Sequence, residues 1–153
     1  MKILLISAAM ALGPAGFAAA CPYIAEGAES HDLSAGELAE GVVLEVVAGG
    51  PYRAEDCVQT RTDPARGYVA GRPDFSLHMP PLEGRRLAIS TRAGCDTTLL
   101  VNTGGVNWYA DDDDGGGSNA LISLTRPSDG RYDVWVGTYD SGLCPAQLIV
   151  RFY

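Results

Sequence analysis

Across residues 84–153, short apolar segments alternate with turns rich in glycine and aspartate: GRRLAIST, CDTTLLVNTGG, NWYADDDDGGGSN, ALISLTRPSDG, RYDVWVGTY and AQLIVRFY. Each is of strand length, each closes on a turn signal, and they recur about every ten residues. That pattern predicts an all-β chain, an antiparallel β-sandwich of jelly-roll type, with no helical period competing for the same residues. Residues 42–47 are rich in valine and stop at Gly49-Gly50, which predicts a first core strand. The domain is therefore expected to span 42–153. Residues 21–41 read as an irregular leading segment with one helical turn at 33–38.

If consecutive strands from Asp74 onward are antiparallel, those at 87–91, 98–102, 108–110, 121–124, 131–138 and 147–153 run alternately up and down. The loops at 92–97, 111–119 and 139–146 then share one end, and the turns at Gly104-Gly105 and Ser128-Asp129-Gly130 share the other. This end-to-end count survives a change of sheet.

A DTTL strand, an acidic DD loop and a closing G-x-Y-x-V-x-V strand follow in order at Asp96-Thr97-Thr98-Leu99, Asp111 to Asp114 and Gly130-Arg131-Tyr132-Asp133-Val134-Trp135-Val136. Ahead of them come Ala48-Gly49-Gly50, Cys57 and Pro73-Asp74-Phe75. In this order the chain resembles the bacterial pre-peptidase C-terminal domain and its periplasmic relatives. The resemblance implies a β-sandwich that accompanies peptidases without being their catalytic part, and in some members binds calcium at comparable loops.

The amino terminus has one cation, Lys2, then an apolar run and the small residues Ala18-Ala19-Ala20. That is the layout of a secretory signal peptide over residues 1–20, too short for a membrane span, so the chain is expected to be exported, periplasmic or extracellular. Its removal takes away the one lysine and leaves 10 arginines against 19 acidic residues, a formal charge of −9. Such a balance repels phosphate and argues against nucleic acid and anionic membranes as partners.

All four cysteines, Cys21, Cys57, Cys95 and Cys144, lie beyond the leader, and an even number in an exported chain reads as two disulfides. The strand count brings Cys95 and Cys144 to one end, which leaves Cys21 with Cys57. Zinc is disfavoured by their wide spacing.

Asp96, Asp111, Asp112, Asp113, Asp114 and Asp140 fall on the three loops of that same end. Carboxylates on glycine-rich loops suit calcium, so this rim is the candidate metal site. A solvated acidic turn is the competing reading, because EF-hand spacing is absent. Asp96 before two threonines also fits an Asx-turn. Trp108, Trp135 and Tyr139 are the candidate aromatic surface for peptide or glycan, with burial in the core as the alternative. Catalysis has thin support: Asp140-Ser141-Gly142 is a lone DSG turn, no G-x-S-x-G elbow occurs, and His31 and His78 have no recognisable partner.

These readings converge on a non-catalytic exported binding or accessory module, possible ligands being protein, peptide or glycan, with calcium as a candidate stabiliser. A lipoprotein spacer anchored at Cys21 is the second reading, although Ala18-Ala19-Ala20-Cys21 lacks the usual lipobox leucine. A small secreted hydrolase is the third.

Overall fold

The computed structural model describes residues 21–82, 84–104 and 106–153. The signal peptide expected at 1–20 lies outside the described residues, as does Gly105. In chain order the elements are β1 (Glu29–Asp32), α1 (Ala35–Glu40), β2 (Val42–Ala48), β3 (Tyr52–Arg53), a 3-10 turn (Ala54–Asp56), β4 (Tyr68–Val69), β5 (Phe75–Met79), β6 (Leu87–Ala93), β7 (Thr97–Thr103), β8 (Asn107–Asp111), β9 (Leu121–Leu124), β10 (Gly130–Thr138) and β11 (Cys144–Phe152).

They form two sheets packed face to face. The first runs β1-β5-β10-β7-β8, with the short β4-β3 pair joining β10 beyond the end of β5, and the second runs β2-β11-β6-β9. Every pairing is antiparallel except β1 with β5, which is parallel. The main core lies between the sheets. Strand alternation places Phe75, Leu77, Leu99, Val101, Val134 and Val136 against Ile89, Leu148 and Val150.

One helix closes the lower end. Ser34 caps α1 in a capping box with Glu37, and Leu38 points into the main core with no exposed surface. The helix starts two residues later than residue composition alone suggested, where the Ser-x-x-Glu spacing sets its first turn.

The segment between β3 and β5 does more than connect. It folds over the outer face of the first sheet and builds a second core from Ala54, Ala65, Val69, Leu100, Ala110 and Trp135, with Val58, Ala70 and Trp108 at its margin. All seven residues of β7 are consequently buried, since both of its faces are covered.

Between the end of β5 and the start of β4, strand β10 has no strand partner on that side among the described residues. Asp74 and Gly49 fill the gap. The Asp74 amide donates to Val134 O at 2.9 Å, Val136 N donates to the Asp74 carboxyl at 2.8 Å, and the Gly49 amide donates to Val136 O at 2.9 Å. Gly49 holds φ at +107°, and a Cβ there would run into the Gly142 carbonyl, so glycine is required.

Candidate functional site

Three loops meet at the upper end of the sandwich, at residues 92–97, 111–119 and 139–146. Cys95 and Cys144 are bonded across them, with Cα atoms 6.6 Å apart. Backbone bonds add to the tie: Tyr139 N donates to Asp96 O and Thr97 N to Ser118 O, each at 3.0 Å. Cys21 is bonded to Cys57, Cα atoms 5.5 Å apart, which anchors the leading segment to the loop over the second core. A sulfur held in that bond cannot also carry a lipid thioether.

The six aspartates do not form one set. Asp96, Asp112, Asp113 and Asp140 form one group, Asp112 half-buried and the other three exposed, close enough that their charges act on one another. Partial desolvation, then the neighbouring Asp112, Asp140 and Asp113 charges, hold the Asp96 carboxyl above its usual range. Asp112 is likewise raised by desolvation and by Asp113, while Arg66, 3.8 Å away, pulls it back.

Asp111 and Asp114 turn the other way. The Asp111 carboxyl is buried at the end of β8 and accepts the Leu121 amide at 2.7 Å and the Asp114 amide at 3.1 Å, so the loop-capping role expected of Asp96 belongs here. Burial raises its pKa, against the lowering effect of those two amides. Asp63 joins these two from the loop over the second core. One carboxylate oxygen each from Asp63, Asp111 and Asp114 lies within 4.8 Å of the others. Nothing in the sequence around Thr62-Asp63-Pro64 signals this approach, which depends on Thr62 donating its hydroxyl to Ala110 O and so pinning the loop against β8.

The aromatic surface is corrected by the structure. Trp135 has no exposed area, and Trp108 stacks on it at 5.3 Å between centroids with the rings tilted by 33°. Tyr139 lies past the end of β10 and is 40% exposed. Trp135 does point away from Val134 and Val136, but that side of the sheet is roofed by the Cys57 loop, so the ring is core rather than platform.

The residues weighed for catalysis are placed as follows. His31 sits 3.3 Å from Glu29 and His78 3.7 Å from Glu26. Ser76 is buried, accepts the Gly27 amide and donates to Asp133 at 2.6 Å; Asp133 also receives Arg131 at 3.0 Å. The DSG turn is an exposed loop beside the Cys95–Cys144 bond.

Comparison with known proteins settles the architecture. The chain superposes on a crystal structure of the pre-peptidase C-terminal domain of a collagenase from Bacillus anthracis with a TM-score of 0.51 and 14% identity, over 84% of this chain and 99% of that one. The fold is that of a pre-peptidase C-terminal domain. PliG, a periplasmic lysozyme inhibitor of g-type lysozyme from Aeromonas hydrophila, overlaps at 13% identity with a TM-score of 0.47, over 84% of this chain and 100% of that one. No family model matches the sequence, and no curated protein matches it. No helix among the described residues is long and apolar enough to cross a membrane.

Proposed function

We propose that this protein is an exported, non-catalytic β-sandwich that binds a partner protein, peptide or glycan, and that calcium stabilises its acidic end. The observation that carries this is the seating of Asp63, Asp111 and Asp114 with their oxygens within 4.8 Å of one another. Three carboxylates suit calcium, which takes six to eight oxygens in irregular geometry, with water completing the shell. The exposed aspartates around Asp96 add long-range attraction for the ion. The two disulfides support an oxidising compartment.

Calcium at a hundredfold excess over its dissociation constant should stabilise the fold by about 2.7 kcal/mol, a rise in thermal midpoint of roughly 10 °C for a domain of this size. Magnesium should do much less, because it demands a tight octahedron. Asp63→Asn with Asp114→Asn should abolish the shift, whereas Asp96→Asn with Asp140→Asn should leave most of it. Equal midpoints in chelator and in calcium would reduce the acidic end to a solvated turn. Turnover of a peptidase or glycosidase substrate that disappears in Asp140→Asn or Ser141→Ala would overturn the non-catalytic reading.

A further inference from the structure

Strand β2 is an open edge. Among the described residues it pairs with β11 and with no other strand, in unbroken register from Val42↔Val150 to Ala48↔Cys144. Its other side presents a row of backbone donors and acceptors along Val42 to Val47 and closes at Ala48, which is fully buried. Sheet edges are normally guarded by charge, proline, bulges, shortness or a covering loop. The other edges follow that rule: β1 has four residues and carries Glu29, His31 and Asp32, and β9 has four residues. The edge of β8 is covered where Arg61 N donates to Trp108 O and Thr62 to Ala110 O. On β2 only Glu45 is charged. Val42, Leu44 and Val46 face the main core, so Val43 and Val47 flank Glu45 on the outside, 49% and 58% exposed.

The sandwich is also open beside this edge. A groove of about 520 Å³ runs between β2 and the β1-β5 side of the other sheet, walled by Val46, Val47 and Phe75 and bordered by Glu29 and Glu45, with the largely buried Asp74 also in its lining. Its ionisable lining is acidic throughout, with His31 standing beside Glu29. Glu45 is held in place by Gln147, whose amide donates to it at 2.6 Å. At its upper mouth, β2 meets β11 at Ala48↔Cys144, next to the loop of Asp140. Apolar walls, acidic rims and unmet backbone groups together describe the complement of one kind of occupant. A second copy of β2 would bring Glu45 and a strongly acidic body against their own likeness.

We propose that the free edge of β2 is a docking site for an extended segment of a partner protein in which apolar residues alternate with basic ones, and that this segment adds a fifth strand to the β2-β11-β6-β9 sheet. Backbone bonding supplies affinity, and the alternating side chains supply selectivity, apolar ones entering the groove and basic ones lying along Glu45. The inference shares with the proposed function only the premise of a binding module, and it does not depend on calcium.

The test uses the whole protein in chelator with a short synthetic peptide alternating valine with lysine. Binding should protect β2 amides from hydrogen exchange and should be roughly tenfold tighter than for the same peptide with glutamate in place of lysine. Glu45→Lys should reverse that preference. Methylating one alternate set of peptide amides should abolish binding while methylating the other set leaves it, because a strand pairs through one edge at a time. Lysine and glutamate peptides of equal affinity, methylation that acts alike in both sets, or protection outside β2 would each overturn the proposal. So would protection of β2 that grows with protein concentration in the absence of peptide, which would make a second copy the occupant. Because the methylation series uses the unsubstituted chain, the proposal stays testable even if Glu45→Lys folds poorly. Loss of the calcium effect with peptide binding retained would sink the calcium reading alone.

Discussion

Asp74→Asn is expected to make the protein more stable at neutral and alkaline pH, and to flatten the dependence of its stability on pH. Asp74 completes β10 by accepting the Val136 amide, but its largely buried position raises its pKa from 3.8 to about 7. The cause is desolvation, partly offset by the amides of Val136 and of Asp74 itself. A carboxyl whose pKa is higher folded than unfolded binds more protons in the folded state. Its stabilising contribution is therefore fully present below about pH 4 and is lost as pH rises to about 7. At about 1.4 kcal/mol per pH unit, the loss is on the order of 4 kcal/mol. Asparagine keeps the acceptor oxygen and never ionises. Urea unfolding of both proteins at pH 4.5, 6 and 8, in chelator, gives the Asp74 contribution as their difference, which cancels the raised carboxyls of Asp96, Asp111 and Asp112. Parallel pH profiles would show that Asp74 ionises freely where it stands.

Removing Cys95–Cys144 should destabilise by nearly as much. The bond closes a loop of 49 residues, worth about 4 kcal/mol in the chain-entropy account. Cys21–Cys57 closes 36 residues, and its loss is expected to cost almost the same. The two should differ in kind. Cys21–Cys57 holds the roof of the second core, so the paired replacement of those cysteines by alanine should let water reach Trp135 and Trp108 before the sandwich unfolds. Tryptophan emission should shift to the red at denaturant concentrations where far-ultraviolet dichroism is still native. The Cys95→Ala, Cys144→Ala protein should lose both signals together. Coincident transitions in both proteins would mean that the second core has no separate stability.

Much of the sandwich is legible in the sequence because its main strands are short apolar runs closed by turns that carry glycine and aspartate. Leu121–Leu124 and the strands at Leu87–Ala93, Thr97–Thr103 and Gly130–Thr138 all announce themselves in this way. Direction along the chain is then enough to gather the loops bearing Cys95, Asp96, Asp112 and Asp140 at one end. β1 could not be read, since Glu-Ser-His-Asp has no strand signature and is held by backbone pairing to β5. β3 and β4 are two residues each, too short to show a period.

The candidate site was readable as chemistry and not as grouping. Local sequence shows that the run at 111–114 is acidic, but not that Asp111 turns inward to cap its own loop while Asp112 and Asp113 remain on the rim. That choice follows from where the Leu121 amide lies, on a strand of the other sheet. Asp63 is brought to the trio from 48 residues ahead of Asp111 by packing of its loop on β8.

By itself, then, the sequence determined the sheet-forming segments, their alternation and the acidic end, because hydrophobic period and turn chemistry act over a few neighbouring residues. Tertiary structure alone decided that Trp135 is core, that Asp74 is desolvated and that β2 is left as an open edge. Each of those depends on what covers a face or an edge, and the covering residues come from parts of the chain with no local relation to it.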